Sequence, residues 1–446
     1  MEDEIYGMPA AWLRCEIQKK HIGVEELLKG YLKRIEKYDG TDGLNTVAEL
    51  DSSAIQQARA MDSKQYDRDL PLFGLPVLIK DNIDVAGLHT TAGSLAIDDN
   101  LAAEDAPVIN NLRRAGAIIL GKTNMTEFAN YTTQSMPNGY SSRGGQVKNA
   151  YGRRKDPSGS SSGSAVAVSA GFCAAAIGTD TSFSIIGCAT VNGVAGLKPP
   201  HGSLSAKGIV PISHTLDSAG PLTHDFSDAL MLYSGMRDAP LPTITPVDTE
   251  KIHIAINTFG RNEVSEAQLA HYNVLFEALR KDGVRFSEVS HAHSPYQGDI
   301  MRCEFRHDLE EYLTSTSAKR KTLSEIVKYY ETNPEVMMKY GITYLKAAME
   351  EASGKLDDEP YLRALSEREK QHVQLIKDLH EYDACVMTGP TNIMHFAGLP
   401  SVALKLCMAD DNMPRGIILY GVDELKLYAA ARTIERYCMA FSLAEL

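Results

Sequence analysis

The sequence predicts an α/β fold: a mixed, twisted β-sheet covered by helices on both faces, with a helical insertion in the C-terminal half. Three observations predict it. Short apolar runs at 75–79 and 117–120 flank a helical pattern at 108–115, and such strand–helix alternation builds a sheet with helices laid on it. The small-residue run 165–176 suits a helix packed closely on a sheet. Polar, charged helical stretches over 303–380 interrupt the alternation, as an insertion or lid would.

The elements follow in chain order. Val24, Leu27, Leu28, Tyr31, Leu32, Ile35 and Tyr38 recur at the spacing of one helix face, and Gly40 ends the run. A second helix is expected over 53–61. Both belong to an N-terminal helical arm, 1–62, which the single Trp12 is expected to staple to the body. A core over 63–240 carries the chemistry. Within it, 131–163 is rich in Gly, Ser, Asn and Arg without a period, and so long a loop is functional or disordered. Three prolines in 240–246 read as a linker into 241–446, the remainder of the same domain. There a strand is expected at 251–257, a helix at 267–281, the insertion at about 300–380, and returning strands at 384–388, 401–406 and 416–420.

Composition narrows the function classes. The chain has 446 residues, 43% of them apolar, which is ample for a core. A net charge of −13 without a basic stripe argues against nucleic acid as a partner. The first residues lack the basic and apolar regions of a signal peptide, and no window approaches 18 apolar residues, so no membrane span is expected. Seven scattered cysteines without a Cys-x-x-Cys pair fit reduced thiols in a cytoplasmic protein. His291 and His293 lack a Cys or acidic partner at ligand spacing, and His-Glu-x-x-His is absent, so neither metal nor cofactor is expected. Long polar helices are compatible with a homodimer.

Three groups carry the candidate chemistry. Ser160 lies in Asp156-Pro-Ser-Gly-Ser-Ser-Ser-Gly-Ser164, Ser184 ends Gly178-Thr-Asp-Thr-Ser-Phe-Ser184, and Lys80 follows an apolar run in Gly74-Leu-Pro-Val-Leu-Ile-Lys80. A hydroxyl is a poor nucleophile until a base stands near it, and a buried lysine loses enough basicity to serve. The Gly/Ser segment also matches G-x-S-x-G with Ser161 at a nucleophile elbow, but Arg153-Arg-Lys-Asp-Pro157 is no apolar strand. His201, His214, His224 and His395 are the partners that reading would draw on. A flexible linker, an ordinary capped turn around Asp180 and a lysine that snorkels to Asp81 or Asp84 are the plainer readings.

Taken together, the segments resemble the amidase signature enzymes. The resemblance runs to about residue 230. It adds Thr90-Thr-Ala-Gly-Ser94, Gly121-Lys-Thr-Asn-Met-Thr-Glu-Phe128, Asn192-Gly-Val-Ala-Gly-Leu-Lys-Pro199 and Asp217-Ser-Ala-Gly-Pro-Leu-Thr223 to those above. Arg143-Gly-Gly-Gln146 looks nearest to the peptide amidase-like branch. The resemblance implies a small-molecule amide substrate, Lys80 as base, Ser160 as a relay after a cis peptide bond and Ser184 as nucleophile. It also implies an oxyanion hole from the N–H groups of Thr181, Ser182, Phe183 and Ser184. A synthetase subunit that handles glutamine amide nitrogen is a close variant.

Departures are Ser182-Phe183 where the family has small residues, Gly187 for a larger one, and Cys188 for proline. Phe183 is expected to narrow the acyl pocket, so that Phe183→Gly would broaden the accepted acyl groups. An elbow-type esterase using Ser161 and a non-catalytic amide-binding descendant are the alternatives.

Overall fold

Pro76–Lys80 and Ala175–Asp180 are buried at every position, and both become central strands. They belong to one eleven-stranded sheet in a computed structural model that describes residues 4–63 and 69–446. Residues 1–3 of the expected arm and 64–68 of the expected core lie outside the described residues. In spatial order the strands are Val47–Leu50, Ile118–Thr123, Pro76–Lys80, Ala175–Asp180, Ser218–Thr223, Ala195–Lys198, Ser401–Met408, Pro414–Tyr420, Ala384–Met387, His253–Asn257 and Arg285–Val289. Pro76–Lys80 pairs in parallel with both of its neighbours, whereas Ser218–Thr223 runs antiparallel to Ala175–Asp180. The sheet is therefore mixed, as expected.

The expected helix over 165–176 is corrected. The helix is Ser162–Ser169; Gly171 then takes φ +66°, and the chain turns into the strand at Ala175. Alanines carry no periodicity where both faces of an element are buried, so the switch left no signal. The helix is buried all round, and its side chains must be small. A Cβ on Gly163 would lie 2.3 Å from the Asn124 carbonyl oxygen, so that position admits only glycine.

At the N-terminus, Ala10–Gln18 and Val24–Tyr38 bury Leu13, Ile17, Leu27, Leu28 and Tyr31 in the same apolar cluster as the central strands. Trp12 does not staple them, since it points outward and is 37% exposed. A carboxylate does that work. Asp228, on helix Phe226–Met236, accepts the N–H groups of Ala10 and Ala11 at 2.5 and 2.9 Å, capping one helix from another.

The helices Gln297–Thr314, Leu323–Thr332, Pro334–Met337, Thr343–Glu350 and Glu359–Leu379 fill the region expected as an insertion. Phe305, Leu309 and Leu313 pack with Ala92, Phe128 and Tyr131 in a separate cluster, so this layer sits against the loops above the sheet. Among the described residues no helix is long and apolar enough to cross a membrane.

Removing the cap at Asp228 leaves two N–H groups without their acceptor. Asp228→Ala should cost about 1–2 kcal/mol of stability in urea unfolding, with specific activity of the folded protein unchanged.

Candidate active site

Neighbouring parallel strands end together, and that brings distant residues to one place. Ile79 is opposite Ile177, so Lys80 and Thr179 emerge side by side at the carboxyl ends of their strands. Open α/β sheets present ligand sites at such ends. Lys80 is fully buried. Its Nζ donates to Ser160 Oγ at 2.7 Å, Thr179 Oγ1 at 2.8 Å and the Thr179 carbonyl at 3.2 Å. It therefore neither snorkels nor pairs with Asp81 or Asp84. Asp81 faces Lys122 at 3.6 Å instead, and Asn82 donates to Thr179 Oγ1 at 3.0 Å. Burial disfavours the ammonium, and the Lys80 pKa falls from 10.5 to about 7 although Cys188, Asp180 and Asp217 oppose the fall.

Ser160 follows a cis Gly159–Ser160 peptide and is fully buried. Its carbonyl accepts from Thr126 N–H, and the next N–H, that of Ser161, donates to the Ser184 carbonyl at 3.3 Å. The two serine segments are thus tied through their backbones. Ser161 Oγ is spent on Thr179, donating to its carbonyl at 3.1 Å and accepting its N–H at 3.3 Å. The four histidines of the elbow reading have other partners or neighbours. His201 meets the His214 carbonyl, His214 meets Asp308, His224 meets the Met8 carbonyl, and His395 faces Asp180.

Asp180 folds the loop that follows. Its Oδ2 accepts the N–H groups of Ile185 and Ile186 at 2.7 and 3.2 Å, while Thr181 Oγ1 donates to Asp217 at 2.5 Å. Between these anchors the N–H groups of Ser182, Phe183 and Ser184 have no acceptor among the described residues. Burial alone would raise the Asp180 pKa, but His395 and the Ile185 N–H outweigh it and hold it at about 2. Desolvation pushes the half-buried Asp217 up to about 6.

A cleft of about 560 Å³ opens onto Ser184 and is bordered by Gly159, Thr181, Ser182, Ile212 and Tyr131. That volume suits a small organic ligand. Its far wall comes from the helical layer: Tyr344 stacks on Tyr131 at 5.3 Å, and Asp299 accepts from Arg302 at 2.7 Å.

The expectation for Phe183 is corrected. It is not among the residues that border the cleft. Phe183 takes φ +68°, and its ring turns away onto His395, 4.4 Å between centroids. Gly187 leaves room for it, since a Cβ there would come within 3.2 Å of Phe183 Cβ. The bulk expected inside the cleft lies behind the loop.

Residues outside the sequence expectation also shape the site. Thr179 and Asn82 carry small polar side chains that give no signal until the strands are aligned. Asp217 stands at the head of a quoted motif but had no role attached to it. Metal-type donors gather at His214, Glu304 and Asp308 among the described residues, away from His291 and His293. Protein donors already occupy them. Glu304 accepts from the hydroxyls of Ser213, Thr215 and Tyr361, and His214 Nδ1 lies 2.9 Å from both Asp308 oxygens. The group clamps the loop around Ser213 to helix Gln297–Thr314. Cys188 is a buried small hydrophobe whose thiol burial pushes up to about 12.

Comparison with known proteins shows the family of the chain. The family model named Amidase matches residues 26–395. A probable amidase of Arabidopsis thaliana is 31% identical, covering 95% of this chain and 88% of its own. Among solved structures, an amidase family protein from Bacillus anthracis superposes with a TM-score of 0.92 at 30% identity, over 100% of this chain and 94% of that one. The peptide amidase of Stenotrophomonas maltophilia gives 0.89 at 28% identity, over 98% of each.

A lysine buried at this depth weakens the fold. Its folded pKa lies below the unfolded value, so the folded state is penalised at low pH, and the penalty fades as pH rises from about 7 to 10.5. Lys80→Met should raise stability at pH 7 by roughly 1–3 kcal/mol after the lost hydrogen bonds are allowed for. The gain should shrink toward pH 10, as melting curves across that range would register.

Proposed function

The chain belongs to the amidase family, and from that premise we propose that it hydrolyses a carboxamide or small peptide-like amide through an acyl-enzyme on Ser184. The observation that carries the reading is the contact between Lys80 and Ser160, a buried amine near neutrality against a buried hydroxyl. In this scheme neutral Lys80 takes the Ser160 proton while Ser160 takes that of Ser184. Ser184 Oγ bonds to the carbonyl carbon, and the oxyanion receives the open N–H groups of Ser182, Phe183 and Ser184, with Thr181 at the loop entrance. The proton returns through Ser160 to the leaving nitrogen as the C–N bond breaks. Water then enters by the same relay, releases the carboxylic acid and restores Ser184. Preorganised N–H donors favour the oxyanion over the planar carbonyl, which is where such a site gains its rate.

The cleft supports a peptide-like body for the substrate, with aromatic contact from Tyr131 and Tyr344 and a polar edge at Asp299 and Arg302. Ser161 Oγ is already satisfied by Thr179, and among the described residues no histidine is hydrogen-bonded to it as an esterase of elbow type would need.

A fluorophosphonate should label Ser184, and Lys80→Ala should abolish that label together with amide turnover. Label on Ser161, or undiminished turnover without Lys80, would overturn the scheme. Because the neutral amine is the base, kcat/KM should rise with pH through about 7 and then level, as initial rates between pH 5 and 9 would record. Since Phe183 stands outside the cleft, Phe183→Gly should leave the order of preferred acyl groups unchanged while lowering kcat by roughly 10-fold; rates across a panel of anilides decide this.

A further inference from the structure

We propose that His395 is a positioning residue for the loop that presents Ser184, acting through Asp180 and Phe183. The inference rests on Ser184 being the nucleophile. Asp180 spends one oxygen, Oδ2, on the N–H groups of Ile185 and Ile186, which folds the chain back on itself just after the catalytic serine. Its other oxygen, Oδ1, is buried without an aligned donor, and His395 Nδ1 faces it at 3.2 Å. His395 is itself wholly buried, and among the described residues neither ring nitrogen has another aligned partner. Buried polar groups without partners are rare, so two that face each other at this distance are each other's partner.

The same imidazole carries Phe183 at 4.4 Å, rings tilted by 63°. Phe183 holds φ +68°, a conformation that a bulky residue keeps only when its surroundings fix it. His395 therefore touches the loop at two points, the carboxylate that anchors it and the side chain that precedes Ser184. Between those points lie the open N–H groups.

Charge around the pair favours a neutral imidazole donating to a carboxylate. Burial lowers the His395 pKa against the opposing pull of Asp180. Lys198 is the further cation acting on Asp180, and its ammonium is held by the Leu399 and Pro199 carbonyls at 2.9 and 3.3 Å. His395 arrives on Ile393–Phe396, a short helix that follows the helical layer in sequence, so the nucleophile loop of one half of the chain is set by the other.

The test uses the full chain with three substitutions, His395→Leu, His395→Asn and His395→Gln. Asparagine places an N–H close to where Nδ1 stands, whereas glutamine carries it past Asp180. Two probes are read, the rate of fluorophosphonate labelling at Ser184, and kcat and KM on an N-acyl amino-acid para-nitroanilide. Leucine and glutamine should lower kcat and the labelling rate about 10- to 100-fold. KM should stay within about 2-fold, since the cleft is untouched. Asparagine should recover most of the loss. Wild-type rates in the leucine variant would overturn the proposal. So would an asparagine variant as slow as the glutamine one while both melt with the wild type; this pair decides the matter if leucine does not fold. Label at another residue in the wild type would instead remove the parent reading, and this inference with it.

Discussion

An amine closed off from bulk solvent is the constraint from which the rest of the site follows. Lys80 is sealed at the end of a central strand, so every proton on its nitrogen must meet a protein acceptor. Ser160 and the two oxygens of Thr179 supply them. That requirement ties the ends of two parallel strands to the Gly/Ser segment. The same dryness that makes the lysine costly to keep makes it a base near neutrality.

On the proposed reading, chemistry and recognition come from different pieces of the chain. Lys80, Ser160 and Ser184 stand on strand ends and a tight loop above the sheet, which are rigid supports. The far wall of the cleft is helical and comes from Gln297–Thr314 and Thr343–Glu350. It is held in register by the clamp of Glu304 and Asp308 on the loop around Ser213. Selectivity can therefore drift through one layer while the reacting groups keep their places.

Much of this was legible in the sequence where residues are chemically distinctive and locally punctuated. Lys80 after an apolar run and the serines among glycines stood out because few structural roles need them. The sheet was legible where strands alternate with amphipathic helices, and the helix Glu266–Lys281 fell within a residue of its expected start. Legibility failed where burial is uniform. The start of Ala175–Asp180 reads as more of the preceding helix and its end as a loop, while Ala195–Lys198 is short and Ser218–Thr223 is interrupted by Gly220 and Pro221. Trp12 and Phe183 misled for one reason: size shows in a sequence, direction does not. His395 carried no local signal, because its meaning lies in Asp180, far away along the chain.

That distance bears on how the protein comes into being. Lys80 must wait for Thr179, and the nucleophile loop for His395, before either has its neighbours. At ~5–20 residues per second on the ribosome, the lysine emerges roughly fifteen seconds to a minute before the histidine. Through that interval the loop that ends in Ser184 lacks the imidazole that faces Asp180, so the site reaches its full set of neighbours only after most of the chain has emerged.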